Sequence, residues 1–473
     1  MWPLHRRKAA HRRSDVLDVD RVRAHFEFPS LGRVVANNAA STQPPRELVE
    51  LMDLLSRDYE NVHRGQSPAS QRMTLRFESA YDTFAQWLNA PSRRSIVTYR
   101  NTTEAINAVM YSLLTEFRDG DNVVTTMVEH NSNFVPWHGM CREILPRFGR
   151  RVECRVARFD HRSGELDLDH LVRLVDRRTK LVCVTGASNF LGSKPPLARV
   201  RAIADASGYL RDDGGTGSLM LVDAAQLVPS SRVDVRELDV DYLVFSCHKL
   251  LAPFGVGVLY GKEDLLARAR PFLYGGDMIA EGRVAPDQVE YNDLPWKYAA
   301  GTPNILGVIL SARALRLLVD LTDADPSTRW FGGTGSLPQA TVTETMRRVG
   351  GHVADVTELA LRELSLSTAL RSTARPQVHR ARRWLRSTSM ASIRSSWPDS
   401  WAVRGSRHGR DATARRSPIE TSAWNRRPAA DSASPSTPVT TTCSARWRGC
   451  AGSLSGYADV TDRGLSTSAE RTI

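Results

Sequence analysis

Between Leu221 and Tyr260 two apolar runs stop on polar groups that a buried strand end does not favour. One ends in Asp223. The other, Tyr242 to Phe245, runs straight into Ser246-Cys247-His248-Lys249, and Gly255 and Gly257 then open the backbone. An unpaired ammonium is expensive to bury, so its charge is normally solvated. A lysine directly after a strand is therefore either on a solvent-facing loop or used as an amine. Asp223 likewise reads as a turn cap or as a charge partner, and neither residue alone decides.

The rest of the chain repeats the pattern of a strand followed by polar residues. VLDVDRVRAHFEF reads as a short amphipathic helix, RVVANNAASTQPP as a strand breaking into a turn at Asn37-Asn38, and Glu47 to Tyr59 as a helix. RMTLRFESAYDTFAQWLNA is a long amphipathic helix. SIVTYRNTTEAINAVMYSLL gives strand, polar turn and helix. Thr102, Thr103 and Glu104 open that helix, where free backbone N–H groups and threonine hydroxyls suit either an anion or an ordinary N-cap. The strand NVVTTMVEH leads into Glu129, His130, Asn131 and Asn133, and the strand KLVCVTGASN ends at Asn189. Such alternation implies an open α/β sheet, whose ligands bind at the carboxyl ends of its strands. His130, Asn189, Asp223 and Lys249 are thus expected to share one crevice.

A lysine amine in a crevice, with a carboxylate nearby, matches what pyridoxal phosphate (PLP) needs: a Schiff-base amine and a partner for the pyridinium nitrogen. Other chemistries find less support. The six cysteines form no CxxC pair, which argues against a zinc site or a disulfide framework, and no metal is expected. The net charge of +12 invites a nucleic-acid reading. Its arginines, however, crowd the N-terminus and the C-terminal stretch, with no recognition motif beside them. No apolar run reaches membrane-spanning length, and the basic start MWPLHRRKAAHRRSD lacks the apolar stretch of a secretory signal, so a soluble, cytoplasmic protein is expected.

Several landmarks occur in the order found in one family: NNAASTQPP (37–45), HRG (63–65), NTTEAIN (101–107), EHNSNFVPWH (129–138), ASNFLG (187–192), VDAAQ (222–226), SCHKLLAPFGVGVLYGK (246–262), GGDMI (275–279) and AGTPN (300–304). With these the chain, from about 16 to 320, resembles the class V aminotransferases, and among them the cysteine desulfurases and selenocysteine lyase-like enzymes. The resemblance implies a fold-type I PLP-dependent transferase, with a large domain built on a mostly parallel sheet between helices and a smaller α/β C-terminal domain. It implies Lys249 as the Schiff-base lysine and later the general base, Asp223 as the pyridinium partner, His130 stacked on the ring, Gln226 at the phenolic oxygen and Asn189 beside it. Thr103, Ser246 and His248 would hold the phosphate, with Thr102 backing the turn, and in a homodimer Thr302 would reach the partner subunit's phosphate.

The departures from the family are specific. Tyr298-Ala299-Ala300-Gly301-Thr302-Pro303 lacks the glutamate of the usual Phe-Glu-Ala-Gly-Thr-Pro. Where a desulfurase would carry a mobile loop with its nucleophilic cysteine the chain reads AVRGSRHGRDATARRS, the substrate-clamping arginine has no counterpart, and Cys443 and Cys450 stand out of context. From about Ser365 the chain is rich in Arg, Ser, Thr and Ala and poor in large aliphatics, too poor to offset its chain entropy by burial. A shifted reading frame near residue 365 would account for both, and a genuine disordered tail is the alternative.

The expected organisation is a basic extension over 1–15, a large PLP-binding domain over 16–310 whose 16–35 segment packs with the small domain, the start of that small domain over 311–364, and a low-order or frame-shifted tail over 365–473. The expected activity is a PLP-dependent reaction at the α carbon of an amino acid. The alternatives are a cysteine desulfurase that passes sulfur to an acceptor protein, a PLP-binding protein with defective catalysis, and a basic nucleic-acid-binding protein reusing the fold.

Overall fold

The computed structural model describes residues 17–161 and 163–366. The 1–15 extension, nearly all of the 365–473 tail, Cys443 and Cys450 lie outside the described residues.

The strands are β1 (Ile96–Tyr99), β2 (Asn122–Thr126), β3 (Glu153–Ala157), β4 (Thr179–Thr185), β5 (Leu219–Asp223), β6 (Tyr242–Ser246) and β7 (Gly257–Gly261), with a separate hairpin of β8 (Ile279–Ala285) and β9 (Gln288–Tyr291). The helices are α1 (Val19–Arg23), α2 (Arg46–Arg57), α3 (Pro68–Leu88), α4 (Thr102–Leu113), α5 (Val135–Gly139), α6 (Leu168–Leu174), α7 (Leu197–Asp205), α8 (Val235–Leu238), α9 (Glu263–Arg268), α10 (Ile305–Thr322) and α11 (Gln339–Leu366).

The seven-stranded sheet has the order β1-β7-β6-β5-β4-β2-β3, and β7 alone runs antiparallel to its neighbours. This is the expected mostly parallel α/β sheet. Strands β4 to β7 are buried along their whole length, as a sheet covered on both faces requires. Alternation then divides their side chains between two cores. Val182, Val184, Met220, Val222, Leu243 and Phe245 face Phe77, Phe84, Leu310 and Leu315 of α3 and α10. Leu181, Cys183, Leu221 and Val244 face Ile106, Val109 and Trp137 of α4 and α5. Each such buried side chain contributes about 1.5–3 kcal/mol, so the cores fix strand register firmly. Register sets Asp223 beside Thr185 of β4 and Val244 of β6, in the middle of the sheet.

The expected strand at RVVAN does not form: residues 33–37 are irregular and Val34 is 94% exposed. With no neighbouring strand to satisfy its backbone, an apolar pair is not enough to make a strand. The expected helix around Trp137 to Ile144 is instead α5 followed by a π-type turn over Met140–Ile144. Segment 16–35 contributes α1, whose Arg21 guanidinium donates to Asp323 Oδ1 (2.7 Å) and to the carbonyls of Asp320 and Leu321 at the end of α10.

Candidate active site

Because β1 and β6 both pair antiparallel with β7, β1 runs parallel to β6, and the carboxyl ends of β1, β2, β4, β5 and β6 open on the same side. A cavity of about 370 Å³ lies there. Thr102, Thr103, His130, Asn189, Asp223, Gln226, Ser246, His248 and Lys249 all line it. Thr302 does not; it is exposed elsewhere on the same chain.

Each side chain is delivered by local structure. Asp223 is the last residue of β5 and 3% exposed, and the hydrogen bond to its carboxylate comes from Ala225 N (3.0 Å). Burial raises its pKa, while the Ala225 N–H, Lys249 and His130 pull the other way. Lys249 closes the short turn after β6, and among the described residues its ammonium has neither a hydrogen bond nor an ion pair. Burial lowers its pKa, opposed by the charge of Asp223. The site thus contains an amine that loses its proton more readily than usual and a carboxylate that, among the described residues, has a backbone N–H but no direct ion pair.

Thr102 and Thr103 open α4, whose Asn101 cap accepts from Glu104 N (2.9 Å). Ser246 Oγ accepts from Thr102 N (2.8 Å) and lies 2.6 Å from Thr102 Oγ1. Gly257 makes this closeness possible, since a Cβ there would sit 2.4 Å from the Asn101 carbonyl carbon. His248 lines the cavity, and its carbonyl accepts from Thr42 N (2.8 Å) and Thr42 Oγ1 (2.9 Å). Those bonds bring the 37–45 motif to the Lys249 turn. Gln226 Nε2 donates to Ala39 O of the same motif (2.9 Å). His130 Nδ1 accepts from Ser132 N (3.1 Å), which leaves Nε2 as the N–H of the neutral ring. His130 is open on the cavity side, yet the surrounding walls and Lys249 hold its pKa below the usual imidazole range.

Sequence reasoning missed several wall residues. Asn101, Ser132, Thr185 and the alanines 39, 40, 187 and 225 also line the cavity. Ser132 lies 2.6 Å from Thr103 Oγ1 and so joins the His130 turn to α4. Its only sequence signal was its place inside EHNSNFVPWH. Two other motifs meet away from these walls, where Arg64 of HRG pairs with Asp277 of GGDMI. None of the cysteines in the described residues lines the cavity: Cys141, Cys183 and Cys247 are buried and Cys154 is half-buried. Among the described residues no cluster of three or more His, Cys, Asp or Glu could hold a metal ion, and no helix is long and apolar enough to cross a membrane.

The family model described as aminotransferase class-V matches residues 34–329, a span that takes in every wall residue of the cavity. The chain belongs to that family. Class V members are PLP-dependent enzymes, and relatives and structural neighbours of this chain are cysteine desulfurases. A probable cysteine desulfurase of Halobacterium salinarum is 38% identical over 315 residues, covering 64% of this chain and 71% of its own. A cysteine desulfurase of Dickeya dadantii is 39% identical over 306 residues, 63% of this chain and 70% of its own. The crystal structure of the cysteine desulfurase CsdA from Escherichia coli superposes with a TM-score of 0.61 at 30% identity, covering 74% of this chain and 78% of that one.

The donors fit the class V cofactor. An unengaged amine, a buried carboxylate without a direct ion pair, and hydroxyls gathered at a helix start suit its aldehyde, ring nitrogen and phosphate respectively.

Proposed function

We propose that this class V enzyme binds PLP through Lys249 and acts at the α carbon of an amino acid. The supporting observation is the unengaged Lys249 amine sharing a cavity with Asp223. When bound, PLP supplies a ring that accepts the electron pair left by a bond broken at the α carbon. Everything else falls to the chain. Lys249 would hold the aldehyde carbon until substrate displaces it, and its freed amine, with a lowered pKa, would then take the α proton. Asp223 would keep the ring nitrogen protonated, gaining a direct ion pair. His130 would cover the ring, Gln226 would donate to the phenolic oxygen and Asn189 would lie beside it. Thr103, Ser246 and His248 would hold the phosphate, backed by Thr102.

The relatives, cysteine desulfurases, favour L-cysteine as substrate. On that reading the C–S bond breaks, an attacking thiol gains the sulfur as a persulfide, and alanine is released. No described cysteine lines the cavity, so the thiol would come from Cys443 or Cys450, or from an acceptor protein or small thiol. The exposed Thr302 is available to a second copy, which supports a homodimer, and the Arg21–Asp323 bridge supports packing of segment 16–35 with the 311–364 start of a small domain. A cytoplasmic location goes with this reading.

The test is the visible spectrum of purified protein with PLP, wild type against Lys249→Ala, followed by addition of amino acids. An absorbance band in wild type alone, changing with substrate, supports the proposal. Its absence from both proteins refutes the cofactor assignment. A band that no amino acid alters, cysteine included, leaves a PLP-binding protein without catalysis. Equal alanine and persulfide sulfur from L-cysteine would establish desulfuration.

A further inference from the structure

Behind the cavity wall, Glu129 lies at a junction that the reaction does not use. Its Oε1 accepts from Thr126 Oγ1 at the end of β2 (2.6 Å) and from Thr185 N at the end of β4 (2.8 Å). Its Oε2 accepts from Asn133 Nδ2 (2.7 Å). All three donor residues are buried, and Asn133 is held in turn, its Oδ1 accepting from Trp137 Nε1 of α5 (3.1 Å) and its N–H bonding His130 O (2.9 Å). One carboxylate thereby ties β2, β4 and the 130–133 turn together. Two of the tied segments carry cavity walls, His130 with Ser132 on one side and Thr185 on the other, and Thr185 is the register neighbour of Asp223.

We propose that Glu129 is a positioning residue for this site, clamping His130 and Thr185 into one wall through its three accepted hydrogen bonds, with the gain or loss of its proton altering the field felt at Asp223. The inference rests on the PLP reading for its functional meaning, but the clamp itself is a property of the chain. The titratable groups facing the carboxylate are Asp223 on β5, a like charge, and the buried Cys183 thiol on β4. The other partners, Thr126, Asn133 and Thr185 N, are neutral. Burial and Asp223 push Glu129 up to about 8, against the three hydrogen bonds that favour its ionised form. It therefore gives up its proton at a higher pH than an ordinary carboxyl group, and that loss adds a second negative charge behind Asp223. Because the folded pKa lies above the unfolded one, the stability linked to this proton is fully present below about pH 4.5 and is lost as pH rises through about 8.

The decisive experiment follows the carboxyl carbon of Glu129 by 13C NMR in full-length protein without cofactor, then measures PLP affinity from about pH 6 to 10 for wild type and Glu129→Gln. The expected carboxyl titration is near 8. Glu129→Gln should weaken PLP binding about tenfold at neutral pH, because its amide would face the Asn133 amide donor to donor. It should also flatten the alkaline part of the affinity profile. Titration in the ordinary carboxylate range, or an unchanged pH profile in Glu129→Gln, would overturn the inference; lowered thermal stability alone would mark a merely structural residue. If Glu129→Gln does not fold, Thr126→Val serves, since loss of one donor to Oε1 should move the carboxyl titration upward, and an unmoved titration counts against the proposal. Failure of wild type to bind PLP would refute the cofactor reading, while the carboxyl titration would still report on the clamp.

Discussion

The Ser246 hydroxyl at the end of β6 receives the backbone N–H of Thr102 at 2.8 Å, coupling the start of α4 to the strand that delivers Lys249. With Thr102 Oγ1 2.6 Å away and able to donate as well, the Ser246 proton is free to point into the cavity. Ser246→Ala removes that donor and leaves a buried N–H without its partner. PLP affinity is expected to fall by about 10- to 150-fold, the value of one hydrogen bond to a charged group, as measured by titration of apoprotein, with little change in the thermal unfolding of the cofactor-free protein beyond a few degrees.

Lys249 is expected to be the only residue labelled when the PLP complex is reduced with borohydride, and peptide mapping would identify it. In Lys249→Arg the labelling disappears and turnover falls by at least about 10²-fold, the usual contribution of a positioned base. Labelling elsewhere in wild type would displace Lys249 from its role.

His130 and His248 both have pKa values held below the ordinary imidazole range, chiefly by burial. The unfolded chain therefore binds protons first as pH falls. The histidines cost nothing above about pH 6.5, and stability declines from there down through their lower folded pKa values. Denaturant unfolding of apoprotein at a series of pH values should show this decline, and His130→Gln should reduce its slope. An unchanged slope would mean that His130 is solvated like any surface histidine.

Arg316 on α10 is 1% exposed, donates to Thr83 Oγ1 (3.0 Å) and Gly335 O (2.8 Å), and leaves Nη1 buried without a partner among the described residues. A buried cation of this kind is poorly compensated, so Arg316→Met should be neutral or stabilising. Thr83→Val, which strands Nε as well, should cost about 1–3 kcal/mol. Equilibrium unfolding of both variants distinguishes these outcomes.

The sheet and most of the cavity were legible in the chain because each site residue follows an apolar run. A strand that ends at a fixed height in a parallel sheet delivers its next residue to the same edge, so Asp223, Lys249, His130 and Asn189 could be brought together from pattern alone. The false strand at 33–37 shows the limit of that reasoning, since strand formation depends on a neighbour that local sequence does not encode. In the sequence Glu129 is only a polar residue beside His130. Its importance lies in donors from Thr126, Asn133 and Thr185, which lie up to 56 positions away in sequence.

By itself, then, the sequence determined an open, mostly parallel α/β sheet and put a lysine and a carboxylate at strand ends, since both follow from short-range hydrophobic pattern. Tertiary structure alone decided that Ser132 links His130 to α4, that Ser246 joins α4 to β6, and that Thr302 stays outside its own chain's cavity. These depend on the crossing of distant backbone segments, at distances set by close packing and hydrogen bonding that no local pattern records.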